Sequence, residues 1–339
     1  MNKIKFALVG CGHIGKRHVA VLKAEKEAEL VAICDKDEKK CQVLSDQYGG
    51  ILYFKDYDDM LEKIKVDVIN IATPHGLHAD MAIKALRKKI NVLVEKPMAL
   101  KISDCKEMIN EAERNGVKLY VVKQNRYNVP ISLVRKAIET GKLGKIFMVS
   151  CNVYWNRNQE YYEQSEWRGG KTSEGGSLYT QVSHFIDLLI WWFGDVTEAK
   201  SIIDTLNHKI EIEDCGVSAL RFSSGVIGSL LWTTCVYNKN YEGSITIIGE
   251  KGTIKIGGEY LNKIDFWDVQ SYPVPVGVNF DDMPNDYSGK YQGTSSNHDK
   301  VVINVIKDLL NERHDTVYGD EGMKAITAIE KIYNFTKKA

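Results

Sequence analysis

The chain has 339 residues, with 45 Lys and Arg balancing 45 Asp and Glu, 44% hydrophobic residues, 27 Gly and only 6 Pro. That composition excludes a disordered or collagen-like chain, and at this length a single core has usually stopped growing, so two domains are expected. A formal net charge of +0 argues against a nucleic-acid partner, because non-specific affinity rests on surplus Lys and Arg neutralising phosphates.

The first 122 residues alternate short β-branched runs with amphipathic segments, the pattern of a doubly wound parallel sheet. Strands are predicted at KFALV, LVAIC, VDVINIA, INVLVE and KLYVV, and helices near 14–26, 37–47, 57–64, 76–88 and 103–115. After Lys123 the texture changes: a helix over 131–140 leads into a strand over 145–154 and a polar, aromatic loop over 155–174. From Glu198 to Trp267 the chain alternates like an antiparallel sheet, with turns at Ser223-Ser224-Gly225, Gly249-Glu250-Lys251-Gly252 and Gly257-Gly258. Helices over 299–311 and 321–338 close it. The expected fold is α/β, with domains over 1–122 and 123–339.

The start, MNKIKFALVG, runs straight into a glycine turn and reads as no signal peptide. The longest apolar run, Leu188 to Phe193, is too short to span a bilayer. Cys11, Cys34, Cys41, Cys105, Cys151, Cys215 and Cys235 are scattered without a C-x-x-C pair and read as small buried hydrophobes. A cytoplasmic protein with no membrane partner is expected.

Gly10-Cys11-Gly12-His13-Ile14-Gly15 lies between a predicted strand and a predicted helix, where a dinucleotide fingerprint must lie. Gly10 permits the tight turn, Gly12 lets backbone approach a pyrophosphate, and Gly15 allows close helix packing, with the helix N-terminus donating to the phosphates. Asp35 ends the second strand, where a carboxylate accepts from ribose hydroxyls and repels a 2′-phosphate, which favours NAD over NADP. Thr73-Pro74-His75-Gly76-Leu77-His78 and Glu95-Lys96-Pro97 both sit at carboxyl ends of strands, the ligand-binding edge of open α/β sheets. Lys96 there suits a sugar hydroxyl, though most lysines are solvated surface charges. His75 and His78 lack a carboxylate or thiol at ligand spacing, so no metal is expected.

Gly175-Gly176 opens a predicted helix on which Leu178, Val182, Phe185, Ile186 and Leu189 form an apolar stripe, while Thr180, His184 and Asp187 share another face. A histidine so placed suits general-base work near neutral pH. Taken alone, such a histidine is more often a core residue satisfied by a carbonyl.

In this order, GCGHIG, ATPHGLH, VEKP, Gln124-Asn125-Arg126 and a glycine pair before a histidine-bearing helix resemble the glucose-fructose oxidoreductase, inositol dehydrogenase and rhizopine catabolism (Gfo/Idh/MocA) family, over essentially the whole chain. The resemblance implies an NAD-binding Rossmann domain, then an α/β domain with a large open, mostly antiparallel sheet whose face builds a tetramer or dimer. It implies Lys96 and His184 as catalytic residues. Cofactor contacts are implied at Gly10, Gly12, His13, Ile14, Gly15, Asp35, Thr73, Pro74, His78, Glu95, Lys96, Gln124, Trp167 and Arg168, and substrate contacts at Lys96, Asn125, Arg126, Tyr127, Thr180, Gln181 and His184.

Three stretches, VVKQNRYN over 121–128, WRGG over 167–170 leading to Thr180-Gln181, and EGSIT over 242–246 through Gly257-Gly258, resemble a subgroup of sugar-nucleotide dehydrogenases. Its members oxidise the 3-hydroxyl of UDP-N-acetylglucosaminuronate for surface polysaccharides, and some recycle their NADH with 2-oxoglutarate. Many polyol dehydrogenases of the family carry an aspartate where this chain has Thr180, which fits the sugar-nucleotide members better. Asp187 keeps two readings, orienting the imidazole or supporting the fold. The expectation is NAD-dependent oxidation of a UDP-sugar in a cleft between the domains, with His184 as base and Lys96 steadying the alkoxide. The alternatives are a polyol or aldose dehydrogenase and a non-catalytic NAD-binding regulator.

Overall fold

The computed structural model describes residues 3–258, 260–275 and 296–335. They form two compact units, one of residues 1–124 with 297–326, the other of 125–296 with 327–339.

The first unit is built on β1 (Ile4–Val9), α1 (His13–Ala24), β2 (Ala28–Cys34), α2 (Glu38–Gln47), β3 (Leu52–Phe54), α3 (Tyr57–Lys63), β4 (Val68–Ile71), α4 (His78–Arg87), β5 (Asn91–Val94), α5 (Ile102–Asn115) and β6 (Leu119–Val121). The six strands pair in the order β3-β2-β1-β4-β5-β6, all parallel, so the order reverses beside β1, the switch point of a doubly wound sheet. Phe6, Ala7, Leu8, Val68, Ile69 and Ile71 are 0% exposed, as strands covered on both faces by helices must be. The helix predicted near 103–115 is α5, closed by Gly116 at φ 66 in the left-handed region.

The second unit holds α6 (Val129–Glu139), β7 (Ile146–Tyr154), α7 (Gln159–Glu163), a π-helical turn (Leu178–Val182), α8 (Ser183–Phe193) and strands β8 (Val196–Asp204), β9 (Cys215–Phe222), β10 (Ile227–Thr233), β11 (Glu242–Gly249), β12 (Gly252–Gly257) and β13 (Lys263–Val269). The sheet order is β13-β12-β11-β7-β10-β9-β8. Every pair is antiparallel except β7 with β10. On β9 the pattern alternates: Ser218, Leu220 and Phe222 are buried while Val217, Ala219 and Arg221 are exposed, the signature of a sheet with one covered face.

β3, α7 and the π turn differ from the sequence reading, α7 because it falls in the predicted loop over 155–174. β3 was not predicted, because three residues after a Gly-Gly turn give no alternation to detect. The domain boundary differs as well: α9 (His298–Leu309) and the start of α10 (Gly319–Asn334) group with the first unit rather than with 123–339. Asp308 on α9 receives Lys118 Nζ at 2.8 Å and the Tyr120 hydroxyl at 2.7 Å, and the Val121 amide donates to Val317 O at 2.9 Å. The final residues of the helix predicted to end at 338 lie outside the described residues. Among the described residues, no helix is long and apolar enough to cross a membrane.

Candidate active site

In the first unit the glycine loop is shaped by what a side chain would strike. Gly10 sits at φ +98, and a Cβ there would lie 2.4 Å from Ala72 O. A Cβ on Gly15 would lie 1.9 Å from Gly10 O, so α1 packs directly on the loop backbone, whereas a Cβ on Gly12 would meet nothing within 4 Å. Gly12 therefore faces open space at the N-cap of α1, which carries no side-chain cap. His13 is exposed and Ile14 half-buried in the first turn. An uncapped helix start beside open space fits an anion such as a pyrophosphate.

Asp35 follows β2 and is tied to this loop: its Oδ2 accepts the Cys11 amide at 2.8 Å and its Oδ1 the Asp37 amide at 2.9 Å. The carboxylate is half-buried and stands where the sequence placed the ribose acceptor.

After β4 and β5 come the two loops of the carboxyl edge. Thr73 and Pro74 are half-buried, and Thr73 Oγ1 is a buried hydroxyl oxygen with no hydrogen-bond partner, a donor and acceptor held ready for a ligand. His78, expected on the cofactor, instead sits inside at 0% exposure. Its Nδ1 lies 2.8 Å from Pro97 O and its Nε2 2.8 Å from Thr73 O, so the ring braces both loops. Burial lowers the His78 pKa, against the raising effect of those two carbonyls and of Glu95.

Glu95 is likewise turned inward at 5% exposure, where a carboxylate must find donors; His18 Nε2 lies 2.8 Å and His298 Nε2 3.1 Å from its Oε1. Lys96 then stands out: it is the single partly exposed residue from Val92 to Ala99, and the Lys96–Pro97 peptide is cis. Gln124, in a 3-10 turn after β6, is 5% exposed.

In the second unit the expected uninterrupted helix is a π turn followed by α8. Gly176 O accepts the amides of Tyr179 at 3.1 Å and Thr180 at 3.2 Å and the Thr180 hydroxyl at 3.1 Å. The inserted residue of a π turn rotates the helical face on its N-terminal side against the face on its C-terminal side. Of the three residues expected on one face, Thr180 at 9% and Asp187 at 2% are buried. His184 is the one partly exposed residue from Gly176 to Ile190. The residues on either side of it, from Gly176 to Ser183 and from Phe185 to Ile190, are all buried.

Asp187 receives Arg126 Nε at 2.7 Å and Nη2 at 2.9 Å, a bidentate pair with both side chains under 10% exposed, at 8% and 3%. Arg126 also lies 4.8 Å over the Trp191 ring. Of the two readings of Asp187, the geometry supports the fold-supporting one: an apolar helix that buries a carboxylate requires a paired cation. Arg126, expected on substrate, makes this pair at 8% exposure. Asn125 and Tyr127 beside it are half-buried.

Gln181 is also interior, its Oε1 accepting Arg157 Nη2 at 2.8 Å and its Nε2 donating to the Tyr161 hydroxyl at 3.1 Å. Arg157, only 2% exposed, escaped the sequence reading because nothing in a polar loop distinguishes a buried arginine from a solvated one. Trp167 and Arg168 are half-buried, with the Arg168 guanidinium 4.1 Å over the Tyr161 ring.

The cysteines divide. Five are buried, but Cys215 and Cys235 are partly exposed, their sulfurs 3.7 Å apart, a proximity that strand pairing creates and spacing does not reveal. His208, Asp214 and Cys235 place ligand-type atoms within 4.8 Å of one another, as do His18, Glu95 and His298. Asp214 is already engaged: its oxygens accept the amides of Leu206 at 2.8 Å and of Asn207 and His208 at 2.9 Å.

Comparison with known proteins agrees with this geometry. Residues 4–123 match the oxidoreductase family with NAD-binding Rossmann fold, and residues 131–255 match the GFO/IDH/MocA C-terminal domain. The WlbA dehydrogenase from Bordetella pertussis, solved with NADH and UDP-GlcNAcA, is 39% identical at a TM-score of 0.89, covering 98% of this chain and 96% of that one. The WlbA dehydrogenase from Chromobacterium violaceum, solved with the same two ligands, is 36% identical at a TM-score of 0.90, covering 99% and 94%. Glucose-6-phosphate 3-dehydrogenase of Bacillus subtilis is 24% identical over 343 residues, 97% of this chain and 95% of that protein. The glycine loop with its open face at Gly12, the acid after β2 and the carboxyl-edge loops thus belong to a chain matched from end to end, and this protein is an NAD-binding oxidoreductase of the GFO/IDH/MocA family.

Proposed function

We propose that this enzyme oxidises the 3-hydroxyl of UDP-N-acetylglucosaminuronate to the ketone, with NAD as hydride acceptor. The observation that carries the reading is the likeness, 39% and 36% identical over nearly whole chains, to two dehydrogenases solved with NADH and UDP-GlcNAcA. In both units the residues assigned to chemistry, Lys96 and His184, are the lone openings in otherwise sealed segments.

NAD supplies one thing when bound, an acceptor for the hydride leaving the sugar carbon. The glycine loop and Asp35 hold its diphosphate and ribose, and the Thr73 hydroxyl faces the same edge. His184 takes the hydroxyl proton as the C–H bond breaks, and the Lys96 ammonium stabilises the oxygen while it carries negative charge. Products are the 3-keto sugar nucleotide, NADH and one proton. Asn125, Tyr127, Trp167 and Arg168 contribute to substrate binding; Arg126, Gln181 and Thr180 act by holding the wall in shape.

The reading extends to a cytoplasmic enzyme of surface-polysaccharide sugar synthesis that recycles its NADH with 2-oxoglutarate. It also extends to a homo-oligomer formed through the open sheet face, where Ile202 is 65%, Val217 42% and Ile227 40% exposed.

The test is mass spectrometry of UDP-N-acetylglucosaminuronate and UDP-N-acetylglucosamine after separate incubation with enzyme, NAD and 2-oxoglutarate. Loss of two hydrogens from the uronate alone is expected. Turnover of neither, with NADH binding intact, sinks the sugar-nucleotide assignment and favours a polyol or aldose substrate. In the same assay His184→Asn is expected to slow turnover by about 10²- to 10⁴-fold, the usual worth of a general base, while leaving NADH binding unchanged.

A further inference from the structure

We infer that Glu95 positions Lys96, as the hub of a buried hydrogen-bond network joining the glycine-loop helix, the Glu-Lys-Pro turn and the helix that His298 opens. The inference rests on the reading of Lys96 as an active-site residue.

Glu95 is 5% exposed, and His18 and His298 are both 0% exposed. The two imidazoles meet edge to face, centroids 5.0 Å apart at 89°, and both Nε2 atoms converge on Glu95 Oε1, at 2.8 and 3.1 Å. Asn70 Nδ2 donates to His18 Nδ1 at 2.9 Å. With the Asn70 amide in this orientation Nδ1 accepts, and His18 donates its Nε2 proton to Glu95. The other carboxylate oxygen, Oε2, accepts the Lys96 amide at 3.1 Å. Desolvation alone would raise the Glu95 pKa, but the bonds from His18 and His298 outweigh it and hold the group well below its ordinary value.

One carboxylate thus touches residues from α1, from the start of α9 and from the turn after β5, and is joined to β4 through Asn70. Packing alone would be met as well by apolar side chains of similar volume, without the cost of burying a charge. What a carboxylate adds is direction, and here it is aimed at the peptide that carries the ammonium.

The same three side chains place ligand-type atoms within 4.8 Å, a spacing that also suits a divalent cation. A cation would require the Nε2 lone pairs of both rings, and the bond from Asn70 assigns the Nε2 of His18 to a proton. The network is therefore a proton-linked one.

The experiment is a double-mutant cycle in the full-length enzyme, with single-turnover hydride transfer from UDP-N-acetylglucosaminuronate and NADH affinity by fluorescence as readouts. Glu95→Gln retains an oxygen for the two imidazoles but turns an NH₂ toward the Lys96 amide. It is expected to slow hydride transfer by about 30- to 100-fold, the scale of a misplaced catalytic group, with NADH affinity within about threefold. On a Lys96→Ala background the same change is expected to cost less than about threefold, because residues acting through one another are not additive. An equal cost in both backgrounds, the result of a merely structural role, overturns the inference. Lys96→Ala with undiminished transfer overturns the underlying reading of Lys96, a distinguishable outcome. Should Glu95→Gln fail to fold, Glu95→Asp and His298→Gln enter the same cycle. Stoichiometric zinc or manganese in purified wild-type protein, absent from His298→Gln, would overturn the proton network in favour of a metal site.

Discussion

Lys96 and His184 differ in charge, unit and local structure, yet each is the point at which a sealed stretch of chain opens. The side chains around them are settled differently, and that difference is testable. Asp187 and Arg126 form a nearly fully buried bidentate pair, so Asp187→Asn leaves a guanidinium without its counter-charge. The expected loss is about 3–5 kcal/mol of unfolding free energy, read by urea denaturation; a loss under about 1 kcal/mol would mean that the pair is dispensable, as surface pairs are. Residue type and helical spacing nominated His184 and Asp187 alike, but only the structure shows that Asp187 is buried and paired while His184 is partly exposed. Inward-turned Glu95 and His78 show the same limit: a motif locates a loop, and the surrounding donors decide which of its side chains face out.

His78 gives a pH dependence with a definite sign. Its folded pKa lies below the ordinary histidine value because burial disfavours the charged ring. The unfolded chain therefore binds more protons as pH falls through about 6.5, and stability declines there. Unfolding free energy measured at pH 7.5 and at pH 5.5 is expected to differ less in His78→Gln than in the wild type. His18, lowered for the same reason, adds to the slope with the same sign.

At the level of elements, the glycine loop separates two roles that a fingerprint merges. Gly15→Ala drives a Cβ to 1.9 Å from Gly10 O and must distort the loop, whereas Gly12→Ala meets nothing within 4 Å at an ordinary φ of -73. Gly12→Ala is therefore expected to fold with an unchanged melting temperature and to lose NADH affinity by about tenfold or more, since the added methyl occupies the space of the phosphates. Unchanged affinity would show that the cofactor does not use that face. The other strands of the first unit were legible as apolar runs, and even β6, three residues long, stands in the wholly buried stretch 119–122; β3, equally short, has Leu52 exposed and shows no such run. The π turn was hidden for another reason. Leu178, Val182, Phe185 and Ile186 fit a helical stripe whether or not one residue is inserted, and the insertion is seen only in the backbone of Leu178–Val182.

For the whole molecule, the return of residues 297–326 to the first unit was not legible at all. Helical periodicity located α9 to within a residue or two, but periodicity does not say which sheet a stripe will cover. Val301, Val302, Val305 and Ile306 are all under 5% exposed. At about 1.5–3 kcal/mol for each buried aliphatic side chain, their removal rivals the roughly 5–15 kcal/mol that holds a domain folded. A chain ending at residue 296 is expected to lose the first unit's cooperative unfolding transition and its NADH binding, checked by calorimetry and fluorescence. Retention of both would show that this return is decoration.

That return also sets an order of events during synthesis. Domains commonly fold as units, the N-terminal one first, while the ribosome is still at work. Here the N-terminal sheet leaves the ribosome early but lacks its covering helix, and the second partner of Glu95, until residue 298 and the turns beyond it have emerged. The first unit is thus completed only after residues 125–296 of the second have been made.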